Sequence, residues 1–249
     1  MSDQLKKLKL SDNSKVKFKK NHFNTFGLNY GLPENGGTCP GATTGKGGCL
    51  DIRDGLKRQT CYMVKIVQIY KAVGAVLEGN TALLKSQSIE GMAEILKNTL
   101  NEFIVKNQNN LLYFRLHTSG DFFSVEYAEA WARVIRDFPQ VRFWVYTRSH
   151  DMIDPLLGLD NITVFLSCDP SNFEKVQKIF NEKKEKHKNL GMAYMGNDVP
   201  KLEGSDRFIT CPEITGKVKN TDTGGACSKC RLCVDNYKIR VKNIQFPIH

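Results

Sequence analysis

The alternation of strand-like and helix-like segments after residue 110 constrains the fold of this chain most. Strand patterns are predicted at Leu111–His117, Val141–Thr147, Ile162–Cys168 and Leu190–Met195. One helix is predicted at Val125–Phe138 and another from Ser171 to Lys188, where Ser171 and Glu174 form a capping-box start. Alternating strands and helices give right-handed crossovers and a parallel sheet. We therefore expect an α/β fold with crossover helices, its sheet forming a partial or irregular barrel.

Three regions are predicted along the chain. Residues 1–22 form a basic N-terminal arm, residues 23–210 an α/β domain that begins with a cysteine loop, and residues 211–249 a cysteine-rich, metal-binding tail packed on the same domain. Apolar stripes at 63–77 and 92–103 predict helices before the first strand of the alternating region.

Composition excludes several classes of protein. Hydrophobic residues make up 41% and charged residues 25% of the 249 residues, which is typical of a globular domain. No apolar run approaches the roughly 18 residues of a membrane helix. The N-terminus lacks an apolar signal core, so we expect a cytoplasmic protein with reduced thiols.

The charge is concentrated in two places. Lys and Arg number 36 against 26 Asp and Glu, which gives a net charge of +10. We expect nucleic acid or another polyanion as a partner, with a merely solvated arm as the alternative. The basic residues concerned are Lys6, Lys7, Lys9, Lys15, Lys17, Lys19, Lys20, Lys229, Arg231, Lys238, Arg240 and Lys242.

The late cysteines are the strongest motif. Cys227, Cys230 and Cys233 are separated by two residues each, and Cys211 lies upstream, followed by Pro212. Ferredoxin-type [4Fe-4S] clusters use three cysteines at this spacing and a fourth followed by proline. Zinc is the alternative metal, although its usual pattern is two separate C-x₂-C pairs.

The early cysteines have wider gaps. Cys39, Cys49 and Cys61 lie in a glycine-rich segment that can wrap closely around an inorganic centre, so one or two clusters are expected in the chain. Three thiols leave one coordination position for a substrate or for Cys168. The alternative for Cys168 is a buried hydrophobic side chain.

Polar residues follow the predicted strands, where the active sites of parallel sheets collect. Alternation places Tyr113, Arg115 and His117 on the face away from the helices. Three of these polar residues also have a purely structural alternative. His117 could be hydrogen-bonded to Asp121, Asp121 could cap the helix near Ser124, and Arg148 could pair with Asp169. The predicted catalytic residues are Arg115, His117, Asp121 and Arg148, and Tyr146 is expected to contact a bound cofactor or anionic ligand.

Several strings between Cys39 and Arg148 resemble a bacteriophage family known as gene product eighty-eight. They are CPGA, RLHTSGDFFSVEYAEAW and FPQVRFWVYTRS. The resemblance implies a small iron–sulfur protein of undefined activity, located in the host cytoplasm. The matching positions are Cys39, Cys49, Cys61, Arg115, His117, Gly120 and Asp121.

A looser likeness is to radical S-adenosylmethionine enzymes, which are partial α/β barrels with an early three-cysteine loop and a polar glycine motif after the next strand. Ser119, Gly120 and Asp121 match that glycine motif, so Ser119 and Gly120 are expected to bind the cofactor. The early cysteines depart from that pattern, because their gaps are nine and eleven residues rather than three and two.

Three functions remain open on the sequence alone. One is a redox or radical-type enzyme with an electron donor as partner. Another is a nucleic-acid or host-protein binding module in which zinc or a cluster only holds the chain together. The third is an electron carrier without a substrate of its own.

Overall fold

The computed structural model describes residues 6–11, 23–51, 61–108, 111–202, 204, 206–221, 224–234 and 242–247. These residues form a seven-stranded sheet in which all neighbouring strands are parallel. The strands are β1 (Phe23–Gly27), β2 (Leu112–Ser119), β3 (Val141–Thr147), β4 (Ile162–Cys168), β5 (Leu190–Met195), β6 (Phe208–Thr210) and β7 (Asn243–Phe246). Their order across the sheet is β1-β2-β3-β4-β5-β7-β6. The predicted α/β fold is confirmed, and the sheet is open at β1 and β6 instead of closing into a barrel.

Helices cover one face of the sheet and build the main core. They are α2 (Lys71–Lys85), α3 (Ile89–Val105), α4 (Val125–Asp137) and α5 (Phe173–Lys183). Two further helices are α1 (Tyr62–Ile69), which precedes α2, and the short α6 (Ala226–Cys230), whose Cys227 packs on the opposite face of the sheet. Phe114 of β2 lies 5.7 Å from Phe103 of α3 and 6.1 Å from Trp131 of α4, measured between ring centroids. Alternate residues of each strand therefore enter this core, as expected for a pleated strand.

Most predicted elements are confirmed, and two helix starts differ. The side chain of Ser124 accepts from the backbone N–H of Tyr127, so Ser124 and not Asp121 caps α4. The predicted capping box at Ser171 is wrong, because its hydroxyl bonds the carboxylate of Asp169. Helix α5 begins after Asn172 and ends at Lys183, before the predicted end.

Both ends of the chain contact the sheet domain. Leu8 is buried and its N–H donates to Thr99 Oγ1 at 2.9 Å, which attaches the described part of the basic arm to α3. At the other end, β7 lies between β5 and β6. The sequence pattern predicts neither β6 nor β7. Within the described ranges no helix is both long and apolar enough to cross a bilayer. Lys15, Lys17, Lys19, Lys20, Lys238 and Arg240 lie outside the described residues.

Candidate metal centres

Cys39, Cys49 and Cys61, called the early cysteine group, lie in the loops beside the carboxyl ends of β2, β3 and β4. The N–H of Cys61 donates to the carbonyl of Cys49 at 2.9 Å, and Cys61 is the N-cap residue of α1. The N–H of Cys39 donates to the carbonyl of Gly31 at 2.9 Å. The backbone thus joins Cys49 directly to Cys61, while Cys39 is fixed to the loop that follows β1.

The thiols of the early group are close enough for their charges to interact. Burial and the nearby carboxylate of Asp121 raise the pKa of Cys39 to about 12, and Cys61 and Cys49 contribute in the same direction. Burial also raises the pKa of Cys61, while Arg148 acts against it. One cation and one carboxylate therefore flank the three thiols.

A buried ion pair ties the early loop to the strand ends. Arg148 Nη1 lies 2.6 Å from Asp169 Oδ2, and the Asp169 side chain has no exposed surface. The hydroxyl of Thr43 donates to the same carboxylate oxygen at 2.7 Å. Burial by itself would raise the pKa of Asp169, but Arg148 and the bonds from Ser171 and Thr43 lower it overall. The structural alternative for Arg148, an ion pair with Asp169, is confirmed.

Close backbone packing also holds the early loop in place. A Cβ at Gly41 would lie 1.9 Å from the carbonyl oxygen of Arg148, so only glycine fits there. Thr43 is the site residue that the sequence does not reveal, because it stands in an irregular loop without periodicity. Asp169 has a signal, since it directly follows a predicted strand.

Asp121 organises the turn beneath Cys39. Its buried carboxylate accepts from the Thr147 hydroxyl at 2.6 Å and from the backbone N–H groups of Arg148 at 2.6 Å, Phe122 at 2.8 Å and Ser149 at 3.3 Å. Burial raises its pKa despite these four donors. These contacts hold the end of β3 against the end of β2.

Ser119 and Gly120 pack against the chain that follows β1. The Ser119 hydroxyl donates to the carbonyl of Leu28 at 2.9 Å. Gly120 has φ of 75°, and a Cβ there would lie 2.4 Å from Thr38 Oγ1. Both residues therefore shape the floor of the early loop, and their contact with a bound cofactor stays a prediction.

The predicted face of His117 is wrong. Its ring lies on the helix side of β2, 5.0 Å from Phe122 and 5.9 Å from Phe26 between centroids, and Nε2 lies 3.0 Å from the Tyr127 hydroxyl. Two register shifts between β1 and β2, on either side of Phe26, interrupt the alternation. Burial, with a smaller effect of Arg115, lowers the pKa of His117 to about 3. His117 is thus a neutral core residue and not part of a polar cavity.

Cys211, Cys227, Cys230 and Cys233, called the late cysteine group, lie around the sheet face opposite the main core. Cys211 directly follows β6, and its N–H donates to the carbonyl of Gln245 at 2.9 Å. Helix α6 carries Cys227 and Cys230. Aromatic residues of this face contact the thiols: Trp144 belongs to the cluster around Cys227 and Cys233, and Phe165 to the cluster around Cys211 and Cys233.

Cys233 and Tyr146 stand at the centre of the late group. Burial raises the pKa of Cys233 to about 12; the Tyr146 hydroxyl lowers it by hydrogen bonding, and Cys227, Cys211 and Cys230 raise it. The ring of Tyr146 stacks on Phe165 at 5.2 Å. Tyr146 is therefore in contact with the late group.

All eight cysteines are free thiols, and Cys168 belongs to neither group. It is buried in the main core, and its thiol donates to the carbonyl of Ala193 at 3.7 Å. Burial raises its pKa to about 12. In the part of the chain that the structure describes, no three His, Cys, Asp or Glu side chains are grouped tightly enough to hold a single metal ion.

The chain has relatives in bacteriophages. A family model described as Gene product 88 matches residues 3–236. The Gene 88 protein of Mycobacterium phage L5 is 33% identical over 214 residues, covering 82% of each chain. The Gene 88 protein of Mycobacterium phage D29 is 32% identical over 218 residues, covering 84% of this chain and 83% of the relative. No solved structure matches.

Proposed function

The chain belongs to the Gene product 88 family of bacteriophage proteins, and we propose that it binds iron–sulfur clusters of the [4Fe-4S] type through its two cysteine groups. One observation carries the proposal. The fold brings seven of the eight cysteines, which are spread between Cys39 and Cys233, into two regions where their charges interact, and leaves Cys168 in the apolar core. Thiols that are merely buried have no reason to group in this way.

The late group suits a structural or electron-transfer cluster. Four thiols complete the coordination of such a cluster, and the spacing of Cys227, Cys230 and Cys233 with a remote Cys211-Pro212 favours iron–sulfur over zinc. Trp144 and Phe165 belong to the apolar clusters beside these thiols and shield the site from water in part. Zinc bound by the same four thiols is the alternative.

The early group suits a cluster with an open coordination position, since it supplies three thiols. A bound cluster there would supply one-electron chemistry or an iron that binds a substrate. Asp169 already neutralises most of the charge of Arg148, so the pair would mainly position the loop, together with the hydrogen bonds of Asp121 and Thr43. This arrangement supports a redox or radical-type enzyme with an electron donor as partner.

Metal analysis of anaerobically purified protein tests the proposal. We expect a brown protein that contains iron and acid-labile sulfide. Replacing the four late cysteines by alanine is expected to remove the iron of the late cluster. Replacing the three early cysteines by alanine is expected to remove the iron of the early cluster. Cys168→Ala is the matched control, because it removes a thiol outside both groups and is expected to leave the iron content unchanged. Colourless protein with stoichiometric zinc would contradict the proposal.

The nature of the early centre has its own test. Adding S-adenosylmethionine to the reduced protein that lacks the late cysteines is expected to change the paramagnetic resonance spectrum of the early cluster. An unchanged spectrum would remove the radical mechanism and leave a redox centre for another substrate.

The binding-module alternative rests on the net charge of +10. Deleting residues 1–20 would also remove the buried Leu8, so neutralising lysines is the cleaner test. The variant carries Lys15, Lys17, Lys19 and Lys20 replaced by glutamine. If nucleic acid is the partner, retention on DNA or RNA falls in this variant and falls with added salt in the unmodified protein. Retention that is unaffected by the lysine substitutions and by added salt would count against this alternative.

A further inference from the structure

Arg115 of β2 lies beside the late cysteine group. Its guanidinium carbon is 5.1 Å from the ring centroid of Tyr146, within the range of a cation–π contact. Tyr146 in turn contacts Cys233. One side chain therefore separates the charge of Arg115 from the thiols.

The charge of Arg115 is poorly compensated. Its Nε is buried and has no hydrogen-bond partner among the described residues, and no described carboxylate forms an ion pair with it. Arg115 as a whole is half-buried, so water screens its charge only in part. Arg148 differs, because Asp169 neutralises it at 2.6 Å.

A metal centre held by four thiolates is the anion that this position lacks. Four thiolates outweigh the positive charge of the metal core that they bind, so the complete centre is net negative. Net charge and burial are among the factors that set the reduction potential of iron–sulfur clusters. Tyr146, between Arg115 and Cys233, presents the face of its ring to the cation and its hydroxyl to the thiol.

We propose that Arg115 is the positioning residue of the late centre: next to Tyr146, it supplies the half-buried positive charge that stabilises the reduced, more negative form of the bound cluster. This inference rests on the proposed function of the late group. It assigns Arg115 an electrostatic role and no contact with a substrate, in contrast with its predicted catalytic role.

The experiment uses full-length protein with Cys39, Cys49 and Cys61 replaced by alanine, so that only the late centre remains. In this background, Arg115→Gln removes the charge and Arg115→Lys keeps it. Arg142→Gln is the matched control, since Arg142 lies on neighbouring β3 and makes an exposed contact with the carbonyl of Asp160. The ratio of reduced to oxidised cluster is measured by redox titration, and circular dichroism checks that each variant is folded.

Arg115→Gln is expected to shift the ratio about tenfold towards the oxidised form at a fixed potential, which is about 59 mV for a one-electron couple. Arg115→Lys and Arg142→Gln are expected to stay close to the parent protein. An unchanged titration in Arg115→Gln, or an equal shift in Arg115→Lys, would overturn the role of the charge. If Arg115→Gln fails to fold, Arg115→Met, which also removes the charge but keeps the aliphatic stem, is titrated in its place, and an unchanged titration in that variant overturns the role of the charge. A parent protein without iron would instead overturn the proposed function.

Discussion

The two cysteine groups differ in what surrounds them. The early group lies in loops at the carboxyl edge of the sheet, where Arg148 is paired with Asp169 and Asp121 accepts four hydrogen bonds. The late group lies on the sheet face, among aromatic rings and beside Arg115, which forms no ion pair with a carboxylate in the described part of the chain.

This difference indicates a division of roles. Around the early thiols Asp169 neutralises Arg148, and four hydrogen bonds hold the carboxylate of Asp121, so the protein's own contacts hold the loop. The late centre depends on its ligand to balance Arg115. We therefore expect the early region to respond to changes in its ion pair and hydrogen bonds, and the late region to respond to metal removal.

Arg148→Met has the largest expected effect on the early region. It leaves the fully buried carboxylate of Asp169 without its partner, which is expected to cost about 3–5 kcal/mol in the free energy of unfolding. Lys97→Met is the control, because its pair with Asp137 is half exposed and is worth at most about 1 kcal/mol. Urea denaturation measures the free energy of unfolding of both variants. Equal losses would show that the buried pair of Arg148 and Asp169 stabilises the protein no more than an exposed pair does.

Asp121→Asn is expected to destabilise the protein by about 2–3 kcal/mol. The asparagine amide cannot accept from the Arg148 and Ser149 N–H groups while its oxygen faces Thr147 and Phe122. Asp137→Asn, at an exposed carboxylate, serves as control in the same denaturation series. A loss below about 1 kcal/mol would show that Asp121 is not the organiser of this turn.

The pH dependence of stability tests whether His117 lies in the core on the helix side of β2. Its pKa is lowered from 6.5 to about 3 in the folded protein. Between these pH values the imidazole is therefore protonated in the unfolded chain and neutral in the folded chain. Its contribution therefore makes the free energy of unfolding fall, by up to about 1.4 kcal/mol per pH unit, as pH drops from 6.5 towards 3. His117→Phe is expected to flatten this slope.

The control for His117 is Tyr127→Phe, which removes the hydroxyl partner but leaves the imidazole buried, so the slope is expected to persist. Denaturant titrations at several pH values measure both variants. An unchanged slope in His117→Phe would mean that the histidine is accessible to protons in the folded protein.

Thr43→Val has the smallest expected effect on stability, about 1 kcal/mol, because it removes one hydroxyl that bonds Asp169 and the N–H of Cys49. It is also expected to weaken metal binding at the early group and to leave the late group unchanged. Thr44→Val is the control in the same loop. Chelator competition, followed by visible absorbance, compares the two groups in one sample.

Much of the sheet could be predicted from the sequence. Strands at 141–147, 162–168 and 190–195 were recognisable because buried parallel strands are short apolar runs bounded by polar and turn residues. Strand β7 could not be predicted, because four residues in a cysteine-rich, basic tail carry too little pattern. Its pairing with β5 and β6 depends on residues far away in sequence.

The sites were predictable to different degrees. Spacing groups Cys227, Cys230 and Cys233, since neighbouring thiols at this interval are close in any compact conformation. Alternation placed Arg115 correctly and His117 wrongly, because the register shifts beside Phe26 arise from the pairing of β1 with β2. No local pattern reveals such a shift.

The sequence by itself determined the α/β class, the bounds of β3, β4 and β5 and the division of the cysteines, because these depend on residue types at short intervals. The tertiary structure alone decided that the sheet is open, that Asp169 neutralises Arg148, that Arg115 has no ion pair with a carboxylate of the described residues, and that Cys168 stays in the core. Those outcomes depend on which side chains meet across strands and loops, and that follows from the packing of the whole chain.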